Sequence, residues 1–131
     1  SAVLKNVYAL GLGMTEGLGW GANARGWFVA KAVEEAGAIL EDLGGRRETF
    51  HGTAGVGDMV ATGFSPHSKN RSAGEAIARK GKSPHVSEGM ASLPQLLAVL
   101  GARARRYPLL MALKEALLDG KKVRIVFEAL L

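Results

Sequence analysis

Residues 24–43 read ARGWFVAKAVEEAGAILEDL, and this stretch decides the fold class because its apolar residues recur at the helical period. Phe28, Ala32, Ala36 and the pair Ile39–Leu40 fall on one stripe. The following Gly44-Gly45 favours the end of a helix. The spacing therefore predicts a helix over 24–43 that buries one face. The acidic residues of this stretch are predicted to form its solvated face: Glu34, Glu35, Glu41 and Asp42.

The helical period recurs along nearly the whole chain, and alternation with a period of two is absent beyond a few residues. Further helices are predicted at Val3–Gly19, Arg47–Thr62, Asn70–Lys80, Glu88–Ala104, Pro108–Asp119 and Val123–Leu131. The one at Arg47–Thr62 is expected to be interrupted by the small residues Gly52 to Gly57. No Pro- or Ser-rich linker and no internal repeat divides the chain. We therefore expect residues 1–131 to form one all-α domain of about six to seven helices.

Composition limits the classes of function. A chain of 131 residues with 47% hydrophobic side chains can bury a core without metal or disulfide staples. The absence of cysteine excludes a disulfide framework, a thiolate nucleophile and a cysteine-based metal site. His51, His67 and His85 lack metal-ligand spacing, so no metal site is predicted. No apolar run approaches the length of a membrane span, which predicts a soluble protein.

The net charge of +5 favours an anionic ligand or partner. The cations are scattered in short clusters, most of them at predicted helix ends, where positive charge stabilises a helix. A nucleic-acid-binding module would concentrate its cations on one face and supply aromatic side chains for single strands. The dispersed charge therefore argues against nucleic acid as the partner.

The segment Gly11–Gly17 has the glycine content of a dinucleotide-binding loop. Its spacing is wrong by one residue, and no β-rich strand precedes it. Glycines cost about 1 kcal/mol each inside a helix, so a helix that keeps several is expected to pack closely against another element. Close helix packing is the preferred interpretation.

Lys5, Asn6 and Asp58 are the candidates for proton chemistry. Lys5 and Asn6 lie in an otherwise apolar helical turn, where a lysine either reaches solvent from an exposed face or exchanges protons from a buried one. Asp58 follows Gly55-Val56-Gly57 and is either a helix cap or the charge partner of a lysine. Thr62, one turn further along, would share a face with Asp58.

The run Ser68-Lys69-Asn70-Arg71 places a hydroxyl, two cations and an amide in four residues. These side chains suit a phosphate or a carboxylate, and a following helix N-terminus would strengthen such a site. The alternative is an N-cap followed by solvated cations. The residues by themselves leave both interpretations open.

Several separated motifs occur in one order along the chain: Leu4-Lys5-Asn6-Val7, Gly17-Leu18-Gly19, Ala54-Gly55-Val56-Gly57-Asp58, Thr62, Ser65-Pro66, Ser68-Lys69-Asn70-Arg71 and Glu88-Gly89. This order and spacing resemble the C-terminal domain of bacterial-type NAD(P)-dependent glycerol-3-phosphate dehydrogenase. The resemblance runs through nearly the whole chain. It is specific because the motifs agree jointly, including the interval from Asp58 to Ser68.

The resemblance implies an enzyme that interconverts sn-glycerol 3-phosphate and dihydroxyacetone phosphate with NAD or NADP. An N-terminal Rossmann domain would hold the cofactor, and this all-α domain would supply the substrate contacts. It further implies a cytoplasmic enzyme of glycerophospholipid metabolism. A homodimer is left open.

The roles of individual residues follow by position within the resemblance. Lys5 would be the general acid/base at the C2 oxygen, and Asp58 would hydrogen-bond the lysine or the substrate. The residues implied to hold the substrate are Asn6, Thr62, Ser68, Lys69 and Asn70. The residues implied to touch the cofactor are Lys69, Val86 and Glu88.

The sequence also departs from the family pattern. Lys69 stands where the family usually has arginine, which keeps the charge but loses the bidentate fork. Ala22 replaces a common acidic residue, and the segment between Arg71 and Glu88 is several residues shorter than usual, which shifts the alignment at Val86. No Rossmann fingerprint is present, so we expect a fragment that is inactive alone. The alternatives are a related two-domain hydroxyacid dehydrogenase and a basic helical nucleic-acid-binding module.

Overall fold

The computed structural model describes residues 2–131, and at residues 53 and 54 it describes the backbone only. Its helices are α1 (Ala2–Gly17), α2 (Ala22–Asp42), α3 (Glu48–His51), α4 (Asp58–Phe64), α5 (Lys69–Lys80), α6 (Glu88–Leu100), α7 (Pro108–Leu117) and α8 (Val123–Glu128). A π-helical turn at Thr53–Gly57 precedes α4, and a 3₁₀ segment at Gly101–Arg106 follows α6. No strand occurs within residues 2–131, so the all-α prediction is confirmed.

Helix α1 is the centre of the fold. Its residues from Val7 to Thr15 are all buried, and α4, α5 and α6 pack around it. A helix that is apolar on every side has to be enclosed by other elements, because no face of it is suited to water. The other helices therefore build one core around α1.

The closest approach is between α1 and α5. A Cβ atom added at Gly13 would overlap the backbone of Arg71, and one added at Gly74 would overlap the carbonyl oxygen of Leu10. Glycines at these positions let the two helix backbones touch. The prediction that the α1 glycines serve close packing rather than a dinucleotide loop is confirmed.

Helix α2 has the predicted stripe, since Phe28, Ala32, Ala36 and Ile39 are all buried. The prediction that its four acidic residues form a solvated face is wrong for Glu35. This residue is buried because the start of α7 lies against α2, and its carboxylate accepts hydrogen bonds there.

The third predicted helix, Arg47–Thr62, is divided into α3, the π-helical turn and α4. A side chain at Gly55 would overlap the backbone of Phe50, so this turn is compact only with glycine. The helix predicted at Glu88–Ala104, which is α6, ends earlier, at Leu100, because Gly101 adopts a φ of 57°. Within residues 2–131, no helix combines the length and the apolar character that crossing a membrane requires.

Candidate functional site

The fold brings Lys5 and Asp58 together although 52 residues separate them in the sequence. Lys5 lies near the start of α1, and Asp58 is the first residue of α4, which packs against α1. The Lys5 ammonium nitrogen is 3.7 Å from Asp58 Oδ2. The side chains are 24% and 54% exposed, so the pair is reachable from solvent. The structure therefore forms the lysine–carboxylate pair that the sequence analysis proposed.

Asp58 lies at the junction of two helical segments. It opens α4 directly after the π-helical turn, so helical backbone continues on both sides of it. Thr62 lies one turn further along α4 on the same face and is half-buried.

Asn6 links α1 to α5 and α6 through a chain of hydrogen bonds. Its amide nitrogen donates to Glu88 Oε2 at 3.0 Å, and its oxygen accepts from Asn70 Nδ2 at 3.2 Å. The Asn70 oxygen accepts from the backbone N–H of Gly89 at 2.9 Å. Asn70 is buried, so this chain fixes the starts of α5 and α6 next to Lys5.

The sequence analysis left the Ser68–Arg71 run open between an anion site and a helix N-cap followed by solvated cations. The structure shows the N-cap and one solvated cation. Ser68 is the N-cap of α5, because its hydroxyl oxygen accepts from the backbone N–H of Arg71 at 3.2 Å. Lys69 is exposed at the first position of the helix. Arg71 differs from the expectation of two outward-facing cations. Its side chain is buried and donates hydrogen bonds to other parts of the protein.

The surroundings of Arg71 act on its ionisation and on that of its partner. Burial opposes the charge of Arg71, but the hydrogen bonds to Glu75 and Glu16 outweigh burial and raise the pKa of the guanidinium. The Arg71 guanidinium in turn holds the pKa of Glu75 below its usual value. Arg71 therefore keeps its positive charge, and its bonding partners are groups of the protein itself.

The three residues implied to touch a cofactor lie at the starts of α5 and α6. His85 Nε2 is 3.1 Å from the carbonyl oxygen of Lys69, which holds the loop before α6 against the start of α5. Val86 is 74% exposed, and Lys69 and Glu88 are also exposed. These side chains are thus presented outward, which fits contact with a group held on another domain.

A second polar cluster surrounds Glu35, which sequence reasoning assigned to solvent. Its carboxylate accepts from the Tyr8 hydroxyl at 2.8 Å and from the backbone N–H groups of Leu109 and Leu110 at 2.7 and 3.1 Å. Burial raises the pKa of Glu35 although these hydrogen bonds act against it. Burial and the neighbouring Glu35 raise the pKa of Tyr8 as well.

Asp42 extends this arrangement at the end of α2. It accepts a hydrogen bond from the hydroxyl of Tyr107, and burial together with that bond raises the pKa of Tyr107 to about 12. A cavity of about 390 Å³ between α2 and α7 is lined by Trp27, Glu35 and Tyr107, among others. None of the predicted site residues lines it, so we assign this cluster to holding α7 on α2.

Among residues 2–131, no three histidine, aspartate or glutamate side chains are grouped in a way that could hold a metal ion. The polar groups near Lys5 are instead ammonium, amide, hydroxyl and carboxylate groups, which suit a hydroxylated, anionic organic molecule.

Comparison with known proteins gives consistent matches. Residues 1–128 match the sequence model of a family described as NAD-dependent glycerol-3-phosphate dehydrogenase C-terminus. A glycerol-3-phosphate dehydrogenase [NAD(P)+] of Deinococcus radiodurans is 42% identical over 117 residues, which is 86% of this chain and 35% of that protein. The Bacillus subtilis protein of the same name is 33% identical over 135 residues, which is 98% of this chain and 39% of that protein.

Solved structures agree with the sequence matches. The crystal structure of glycerol-3-phosphate dehydrogenase from Coxiella burnetii superposes with a TM-score of 0.86 at 28% identity, covering 98% of this chain and 42% of that one. The Saccharomyces cerevisiae glycerol-3-phosphate dehydrogenase gives a TM-score of 0.79 at 25% identity, covering 96% of this chain and 39% of that one. The chain thus spans about two-fifths or less of the length of these relatives. The matches favour neither the hydroxyacid dehydrogenase nor the nucleic-acid-binding module.

Proposed function

The chain belongs to the family of NAD-dependent glycerol-3-phosphate dehydrogenase C-terminal domains, and on that premise we propose that it binds the substrate and transfers the proton in such an enzyme. The reaction would be the interconversion of sn-glycerol 3-phosphate and dihydroxyacetone phosphate. The observation that carries the proposal is the approach of the Lys5 ammonium to Asp58 at 3.7 Å, beside the hydrogen-bonded Asn6 and Asn70.

Lys5 would act at the C2 oxygen of the substrate. When bound, the nicotinamide group exchanges a hydride with C2. In the direction of reduction, negative charge develops on the C2 oxygen, and the Lys5 ammonium donates a proton to it. In the direction of oxidation, the Lys5 amine takes that proton from the C2 hydroxyl. The Asp58 carboxylate attracts the ammonium and orients it towards the substrate.

The Ser68–Asn70 run would bind the phosphate end of the substrate. The exposed Lys69 supplies the charge, and the run begins helix α5, where backbone N–H groups favour an anion. Asn6 and Thr62 would contact the carbon skeleton, because they lie beside Lys5 and Asp58 on α1 and α4. Binding the remote phosphate would hold C2 at a fixed place relative to Lys5.

Lys69, Val86 and Glu88 would contact the nicotinamide cofactor held mainly by an N-terminal Rossmann domain. Their outward placement at the starts of α5 and α6 supports this proposal. The choice between NADH and NADPH would be made by that other domain. We further propose a cytoplasmic enzyme that serves glycerophospholipid synthesis. A homodimer is compatible with the apolar side chains exposed on α8, such as Ile125.

The test uses the complete protein that carries this chain, with NADH or NADPH and dihydroxyacetone phosphate. Loss of a general acid typically costs a factor of about 10²–10⁴, so Lys5→Met should lower kcat by that factor. The control is Lys80→Met, which removes an exposed lysine at the end of α5. If Lys5→Met reduces dihydroxyacetone phosphate at the rate of the control, the proposed role of Lys5 is wrong.

A further inference from the structure

The Arg71 guanidinium donates hydrogen bonds to groups from three different parts of the surrounding protein. Its Nε donates to the carbonyl oxygen of Ser65 at 2.7 Å, and Nη2 lies 3.4 Å from that of Pro66. Its Nη1 donates to Glu75 at 2.8 Å and to Glu16 at 3.1 Å. The guanidinium therefore ties the loop between α4 and α5 to both α5 and α1.

This loop, residues 65–68, connects the two groups of proposed substrate contacts. Asp58 and Thr62 lie on α4 before the loop, and Ser68, Lys69 and Asn70 follow at its end. The conformation of the loop sets the distance between the proton-transfer residues and the phosphate-binding run. A planar guanidinium donates in several fixed directions at once, so it can hold two loop carbonyls and two carboxylates together.

A second arginine contacts the end of α4, directly before this loop. The Arg25 guanidinium lies over the ring of Phe64, 4.4 Å from its centroid, and Phe64 directly precedes Ser65. Arg25 also lies 3.8 Å from Glu16, the carboxylate that Arg71 contacts. Glu16 on α1 is thus shared by two arginines, of which Arg71 contacts the loop and Arg25 contacts the end of α4 that leads into it.

We propose that Arg71, supported by Glu16, is a positioning residue that holds the phosphate-binding run at the correct distance from Lys5 and Asp58. This inference rests on the proposed function. Arg71 makes no contact with the substrate in this scheme, because each of its three guanidinium nitrogens already donates to the protein. Its removal should therefore weaken the grip on the phosphate more than it slows proton transfer.

The experiment compares Arg71→Lys with Arg79→Lys in the complete protein. Arg79 is a matched control because it is on the same helix and donates to the same Glu75, yet its side chain is 54% exposed and it donates to no loop carbonyl. Lysine at 71 keeps the charge but not the fork, so we expect the KM for dihydroxyacetone phosphate to rise about tenfold and kcat to fall less than about threefold. The inhibition constant of inorganic phosphate, a competitive inhibitor, should rise by a similar factor. For Arg79→Lys, both KM and this inhibition constant should stay within about twofold of the values of the unaltered enzyme.

The positioning role is refuted if Arg71→Lys lowers the melting temperature while KM and phosphate inhibition stay within about twofold of the unaltered enzyme. If Arg71→Lys does not fold, Glu16→Gln tests the same loop with smaller disturbance. It should raise KM about threefold, and an unchanged KM would equally refute the proposal. Failure of the proposed function is distinguishable, because the unaltered enzyme would then be inactive or Lys5→Met would remain active.

Discussion

Replacing Glu35 by alanine should destabilise the fold by about 3 kcal/mol at acidic pH. The substitution leaves three donors without their acceptor: the Tyr8 hydroxyl and the N–H groups of Leu109 and Leu110. An unsatisfied buried donor costs about 1–3 kcal/mol. We use the lower end for each because the adjoining cavity, which Glu35 and Leu109 line, can admit water to the start of α7.

The dependence of this loss on pH has a definite sign. Burial raises the pKa of Glu35 above its unfolded value of 4.5. A carboxyl group with a raised pKa in the fold contributes most stability below its unfolded pKa, and this contribution is lost as pH rises through the folded pKa. The free-energy cost of Glu35→Ala should therefore be larger at pH 5 than at pH 8.

The assay is urea unfolding of the 131-residue chain, followed by circular dichroism at several pH values. Glu34→Ala is the matched control, because Glu34 is the preceding residue, is 67% exposed and forms its ion pair with the exposed Lys31 at 3.8 Å. Its cost should stay below about 0.5 kcal/mol. The reasoning is refuted if the two variants unfold within about 1 kcal/mol of each other at pH 5. A single cooperative transition is also what one domain over residues 1–131 predicts.

Two further pairs of variants test the packing and the capping of the helices. Gly13→Ala should lower the free energy of unfolding by about 2–4 kcal/mol, because its methyl group would meet the backbone of Arg71. Gly26→Ala should instead raise it by about 0.5–1 kcal/mol, because a Cβ there would meet no atom within 4 Å beyond its neighbours and its own helix backbone. Equal effects of the two variants in urea unfolding would contradict this account. Ser87→Ala should lower the free energy of unfolding by about 1 kcal/mol because Ser87 caps α6. Ser92→Ala, inside α6, should cause no such loss when both variants are compared by thermal unfolding.

The sequence predicts the helices well where apolar residues follow one period. The stripe of α2 and the close packing of the α1 glycines are both confirmed. The interruption of the helix at 47–62 follows from its glycines, but the π-helical form of the turn could not be predicted because it depends on contact with Phe50.

The burial of Glu35 had a signal that the acidic composition of α2 obscured. Glu35 lies seven residues after Phe28, three after Ala32 and four before Ile39, so helical spacing places it on the buried stripe. Arg71 likewise lies three residues before Gly74 and seven before Ala78, on the face of α5 that packs on α1. A charged residue on an apolar stripe is therefore better interpreted as a buried, partnered group than as part of a solvated face.

The pairing of Lys5 with Asp58 is different, since no local pattern connects residues so far apart in the sequence. The residues left Asp58 as either a helix cap or the charge partner of a lysine, and the order of motifs, through resemblance, implied that it shares a site with Lys5. Their separation of 3.7 Å is longer than a hydrogen bond, and catalytic hydrogen bonds are often long until substrate is present. By contrast, Arg71 and Glu35 have short hydrogen bonds to protein groups. The fold thus uses its hydrogen-bonded charges to fix helices, and under the proposed function a phosphorylated substrate would take up the remaining bonding capacity of Lys5, Asp58 and Lys69.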